Sequence, residues 1–174
     1  MHAQIKAQLP QGAMTPPWDK GIQPISRESY WNAVECGKQG GARPACVFYD
    51  AELCKNDDFT LAMYTPYKSV AYEVWRVVRN GQPAPTPSYQ EAQRTRVTIG
   101  VTLAAGSKNT ITDLVIKRAG KTIEPLARAL EAAGGKFTFD FAPFAPTADI
   151  TIDVAGKLRA RSCTVEQAVL AKFR

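Results

Sequence analysis

Apolar residues along this chain keep a helical period in its first half and a strand period in its second. Between Pro66 and Arg79, the residues Tyr67, Val70, Ala71, Val74, Trp75 and Val78 recur at intervals of three and four, forming one continuous stripe. Lys68, Glu73, Arg76 and Arg79 occupy the outer face of that helix. Thr65 is its N-cap, Pro66 takes the first helical position where no N–H is needed, and Asn80-Gly81 supplies a left-handed stop. A shorter helix is expected over residues 27–36 behind the cap Ser26, with Tyr30, Trp31 and Val34 on one face and Gly37, Gly40 and Gly41 ending it. Cys46-Val47-Phe48-Tyr49 reads as a short strand, followed by an acidic loop holding Asp50, Glu52, Asp57 and Asp58.

Beyond Tyr89 the period falls to two. Val97, Ile99, Val101 and Leu103 alternate with Arg96, Thr98, Gly100 and Thr102, and Ala105-Gly106-Ser107 turns the chain. Leu114-Val115-Ile116 runs to a turn at Ala119-Gly120-Lys121, from which Thr122-Ile123 returns. Gly134-Gly135 precedes Phe137, Phe139 and Phe141 on one side of a strand. Ile150, Ile152 and Val154 form another, with a turn at Ala155-Gly156 and a basic strand through Leu158, Arg159, Arg161 and Cys163. The segment Leu126–Ala133 is rich enough in Ala and Leu for a short helix, and Val165–Phe173 suits a helical turn or a strand.

Pro83, Pro85 and Pro87 separate the two patterns. The expected organisation is an extended arm over residues 1–25, a helical unit over 26–82, a proline-rich linker over 83–94 and a β domain over 95–174. The fold class is therefore α+β: a small aromatic-rich helical N-terminal unit followed by an antiparallel β-sandwich of immunoglobulin or fibronectin type.

Cysteine usage adds a covalent constraint. Cys36, Cys46, Cys54 and Cys163 contain no C-x-x-C pair, so the usual signature of a zinc ribbon or a redox dithiol is missing. If all four pair, one bridge must cross the proline run, because three cysteines lie before it. The favoured pairing is Cys36–Cys46 with Cys54–Cys163, and the other two connectivities stay open. Such bridges place the protein outside the cytoplasm, periplasmic or secreted. Residues 1–25 show no apolar signal segment, which suggests that any leader has been removed from this numbering. No apolar run approaches the ~20 residues that cross a bilayer as a helix.

Charge and composition narrow the chemistry further. Apolar residues make up 45% and charged residues 22%, an ordinary globular balance. The net charge of +6 lies mostly after residue 94, where twelve Lys/Arg face seven Asp/Glu. That half has few aromatics, so the stacking chemistry of a nucleic-acid binder is missing and nucleic acid is not the expected partner. His2 is the single histidine, which removes the usual Ser–His–Asp, Cys–His and multi-histidine metal sites. The acidic loop can supply a general acid/base pair or ligands for a hard cation, but its spacing is not that of an EF-hand.

No catalytic residue, metal site or cofactor is assigned. Trp18 and Tyr72 are the candidate exposed aromatics for binding, since Tyr72 lies off the main helical stripe. Arg159 and Arg161, on one face of a strand, can grip a phosphate or carboxylate. The expected function is non-enzymatic: an extracytoplasmic protein-binding or assembly subunit of a larger complex, a filament or a homo-oligomer. A carbohydrate-binding module that meets a glycan is the first alternative, and a hydrolase using paired acidic residues the second.

Overall fold

The computed structural model describes residues 22–39, 42, 44–48, 52–85 and 88–173. Among them are two antiparallel sheets and a set of helices. The helices α1 (Arg27–Lys38), α2 (Ala45–Phe48), α3 (Pro66–Arg79) and α4 (Tyr89–Arg94) lie before the third strand in sequence, and α5 (Gln167–Leu170) closes the described chain. The strands are β1 (Glu52–Lys55), β2 (Phe59–Tyr64), β3 (Val97–Leu103), β4 (Ile111–Arg118), β5 (Lys121–Ile123), β6 (Ala127–Glu131), β7 (Gly134–Phe139), β8 (Ile150–Gly156) and β9 (Arg161–Val165). One sheet has the order β1-β2-β3-β7-β6, the other β5-β4-β8-β9.

Alternation explains the sandwich. Phe59, Leu61 and Met63 of β2, Val97, Ile99 and Val101 of β3 and Phe137 and Phe139 of β7 point into one core. Leu114 and Ile116 of β4, Ile150, Ile152 and Val154 of β8 and Cys163 and Val165 of β9 meet them from the second sheet. Phe144 closes one side, its ring edge-on to Phe139 at 6.1 Å. Gly134 belongs where it is for a steric reason. At its φ of 149°, a Cβ would stand 1.8 Å from the Val101 carbonyl oxygen of the neighbouring strand.

The helices pack a second, separate core of Tyr30, Ala33, Val34, Val47, Tyr67, Ala71, Val74 and Trp75. Ser26 caps α1 by accepting from the Ser29 N–H at 3.1 Å, and Thr65 caps α3 by accepting from the Lys68 N–H at 3.3 Å. Gly37 lies in the last turn of α1, one residue before its end. A Cβ there would be 2.6 Å from the Ala71 carbonyl oxygen and 2.6 Å from Val74 Cβ, so its bare backbone sets how closely α1 crosses α3. Ile22 belongs to the sandwich core and Ile25 to the helical core, so the chain passes between the two within one extended stretch.

Several sequence expectations are corrected. The sandwich starts earlier than the strand pattern suggested, because β1 and β2 come from residues assigned to the helical unit. Residues 89–94, assigned to the linker, form α4 behind the Ser88 cap. Residues 45–48 form a helical turn and not a strand, since the bridge to α1 and the burial of Val47 in the helical core favour a compact turn. Leu126–Ala133 holds strand β6, paired with β7 through a tight hairpin, in place of a helix. Phe141 falls beyond β7, where the chain enters a 3-10 turn over Ala142–Phe144. Ala155 and Gly156 stay within β8, and the turn follows them. Lys68 is 3% exposed and lies over the Phe173 ring at 4.9 Å, instead of on the outer face of α3. The outer-face residue is Trp31, which α1 turns to solvent while Tyr30 and Val34 go inward.

Two disulfides staple the chain. Cys36–Cys46 ties α1 to α2, and Cys54–Cys163 ties β1 to β9 across the two sheets, with Cα atoms 6.5 Å apart. No helix among the described residues is long and apolar enough to cross a membrane.

Two outcomes follow from this packing. Gly37→Ala should lower stability by about 3 kcal/mol, read as a shift of the urea midpoint, because the clash is with backbone that cannot yield. The Cys54→Ala/Cys163→Ala double variant should lose about 4–5 kcal/mol, the chain-entropy value for a loop of this length. Differential unfolding with and without reductant checks the second.

Candidate functional site

Three loops converge at the end of the sandwich where β1 turns into β2. The first is Asn56-Asp57-Asp58, whose turn is built by the Asn56 side chain accepting from the Asp58 and Phe59 N–H groups at 2.7 and 2.9 Å. The second joins β3 to β4 through Ser107 and Asn109, and the third joins β8 to β9 through Lys157–Ala160. Asp58 is fully buried and holds the first to the second: it accepts from Ser107 Oγ at 2.6 Å and from Asn109 Nδ2 at 2.8 Å. Asn109 carries the connection onward. Its Nδ2 donates to the Arg159 carbonyl at 3.1 Å, and its Oδ1 accepts from the Leu158 N–H at 3.0 Å.

The arginines expected to grip an anion sit here, on carboxylates of the same chain. Arg159 Nε stands 3.4 Å from Asp58, and Arg161 Nη2 3.2 Å from Asp57. The two do not share one strand face, because β9 begins at Arg161 and Arg159 belongs to the preceding turn. Burial pushes the Asp58 carboxyl pKa up, but hydrogen bonds from Ser107 and Asn109 and the charges of Arg159 and Arg161 outweigh it and hold it below the ordinary range. Asp57 and Asp58 are thus brought into ion pairs, while Asp50 and the Glu52 side chain lie outside the described residues. No cluster of three His, Cys, Asp or Glu side chains suited to a metal occurs among the described residues.

A second feature lies at the sheet edge. Every residue of β6 is exposed, and Leu126 and Leu130 are 65% and 57% exposed. Arg128, midway between them, reaches over the rim to Asp113 of β4 at 2.7 Å and to Glu124. The Arg128 hydrogen bond holds the Asp113 carboxyl below its ordinary value. One ion cluster therefore bridges β6 to β4 and to the residue after β5, with an exposed leucine on either side of Arg128. Sequence reasoning missed this edge, although the alternation of small and long side chains from Ala127 to Glu131 was there to be read as a strand.

The aromatic candidates separate. Tyr72 is half-buried, its ring 5.7 Å from both Tyr64 and Trp75, and Arg79 covers Trp75 at 4.9 Å. It belongs to a packed aromatic row joining α3 to β2. Trp18 lies outside the described residues. The exposed ring is Trp31, at 55%, edge-on to Tyr30.

Asp58 yields a pH-dependent prediction. A carboxyl whose pKa is depressed by folding contributes stability that is complete above its unfolded value of about 4 and is lost as pH falls through the lower folded value. Asp58→Ala should cost about 3–5 kcal/mol at neutral pH, by leaving buried donors unpaired, and should flatten the loss of stability on acidification. Urea titrations across the acid range measure both. No family model, no curated protein and no solved structure matches this chain.

Proposed function

We propose that this protein is a non-enzymatic assembly subunit that works outside the cytoplasm and accepts a strand from a neighbouring subunit along the open edge of β6. The observation that carries this reading is that β6 terminates a five-stranded sheet with all of its residues exposed and two exposed leucines beside its ion cluster. An edge strand offers a row of unpaired backbone donors and acceptors, which an incoming strand can complete. Of the other three edges, β5 has three residues, β1 is four residues long with a bulge between Glu52 and Cys54, and β9, as long as β6, is half-buried and pinned to β1 by the Cys54–Cys163 bridge. The main charge on β6, Arg128, is turned away to Asp113 and Glu124, which leaves the strand's apolar residues uncovered. The two disulfides, with no free cysteine among the described residues, support an oxidising compartment.

We also read the sandwich as immunoglobulin-type. Taking β2, β3, β7 and β6 as strands A, B, E and D, and β5, β4, β8 and β9 as C′, C, F and G, the two sheets follow the order of that fold. On this reading α3 and α4 are an insertion between A and B, and β1 is an added edge strand. The inter-sheet bridge also differs, joining β1 to β9 where antibody domains join B to F. Connectivity of this kind supports a layout and not an activity.

The alternatives draw on less. A glycan platform needs a row of exposed rings, and the described residues offer Trp31 alone. A carboxylate pair for hydrolysis has to face substrate, whereas Asp58 is enclosed and hydrogen-bonded.

Light scattering across a concentration series tests the assembly reading. The wild-type chain should form species of higher mass, and Leu126→Lys/Leu130→Lys should remain monomeric with unchanged thermal stability, since both side chains are exposed. A wild-type chain that stays monomeric at every concentration would overturn it.

A further inference from the structure

We infer that the loop end of the sandwich is a docking surface for an anionic lipid bilayer. This goes beyond assembly at β6 and does not depend on it. The tip of the β8–β9 turn is Leu158, 64% exposed, with Lys157 before it and Arg159 after it. Lys55 at the end of β1 and Lys108 in the β3–β4 loop stand in the two loops that flank this tip, and both are exposed. The three loops are fixed to one another: the Lys157 N–H donates to the Thr110 carbonyl at 2.9 Å, the Leu158 N–H to Asn109 at 3.0 Å, and the Ala104 N–H to the Asp58 carbonyl at 2.8 Å. They form a preset platform, so little ordering is required on contact.

Charge decides the partner. The acidic groups at this end each face a cation: Asp57 meets Arg161, Asp58 meets Arg159, and Glu131, in the β6–β7 hairpin at the same end, meets Lys136 at 3.8 Å. Lys55, Lys108 and Lys157 have no ion-pair partner among the described residues, and this leaves a surplus of positive charge around an apolar tip. Basic side chains that ring an exposed leucine match a bilayer interface, where the leucine enters the acyl boundary while the lysines meet headgroup phosphates. A nucleic acid would also satisfy the lysines. It would leave Leu158 unburied and would find no exposed aromatic ring in these three loops on which to stack a base, since Phe59 is buried.

The orientation suits this role. Helix α3 follows the far end of β2, beyond Tyr64, so the helical core lies away from the loop platform and does not obstruct it.

Co-sedimentation with vesicles of phosphatidylglycerol and phosphatidylcholine, against pure phosphatidylcholine, tests the inference with the full chain. Binding is expected to the anionic vesicles alone and to weaken as salt is raised. Lys108→Gln/Lys157→Gln should weaken it about twenty-five-fold, at roughly fivefold per basic residue. Leu158→Ser should weaken it about tenfold through lost apolar burial, with unchanged thermal unfolding in both variants. Absence of binding to anionic vesicles at low salt would overturn the inference. So would a Leu158→Ser chain that binds vesicles as the wild type does while the lysine variant loses vesicles and single-stranded DNA alike, since that pattern marks a polyanion site.

Discussion

Asp58 is a charge withdrawn from water at the point where three loops of two different sheets meet. An isolated carboxylate there would cost several kcal/mol, and the chain offsets this with a hydroxyl, an amide and a nearby guanidinium. Because Ser107, Asn109 and Arg159 are drawn in to satisfy it, the β1–β2, β3–β4 and β8–β9 connections acquire fixed positions. The Cys54–Cys163 bridge lies just inside the same end and joins β1 to β9. Covalent and electrostatic constraints therefore act on one spot. At the β6 side the sheets are joined instead by the ion cluster of Arg128 with Asp113 and Glu124.

The helical core is tied to the sandwich by chain connectivity and by a few shared contacts. α3 leaves the sheet directly after β2 and the chain returns through α4 into β3, so adjacent strands of one sheet are separated in sequence by the helical layer. The row of Tyr64, Tyr72 and Trp75 continues from strand to helix, and Lys68 lies over Phe173 near the C-terminal end. Within the helical layer, α1 approaches α3 so closely at Gly37 that a side chain there would meet the α3 backbone. The Cys36–Cys46 bridge then holds α2 against α1.

Exposure is distributed unevenly over this frame. Strands β2, β3, β7 and β8 are shielded on the core side and flanked by neighbours, whereas β6 is covered on neither face. Leu130 of β6, Leu126 just before it and the Leu158 tip are, with Trp31, the exposed large apolar side chains among the described residues. Leu126 and Leu130 lie just before and within an edge strand and Leu158 lies among cations, two settings that favour different partners, one a protein strand and the other an anionic surface.

Local interactions made parts of this structure legible from sequence alone. The α3 stripe with its Thr65-Pro66 start, the alternation of β3 and β8 and the turn at Gly120 depend on neighbours a few residues apart, and the folded chain keeps them. Counting cysteines on each side of the proline run was enough to require a bridge across it if all four paired. Long-range contacts decided the rest. β2 carries an alternating pattern as clear as that of β3, but only pairing with β3 across the intervening helices makes it a sandwich strand. Arg159 and Arg161 looked like a grip for an external anion until the fold brought Asp58 and Asp57 to them from about a hundred residues away. Leu126–Ala133 has the composition of a helix, and it is extended because the hairpin to β7 pairs one side of its backbone and holds it in the sheet. Sequence by itself determined where the chain can turn, cap and alternate, because those are local steric and hydrogen-bonding choices. Tertiary structure decided which charges are spent internally and which apolar residues stay uncovered, because both depend on segments that meet only after folding.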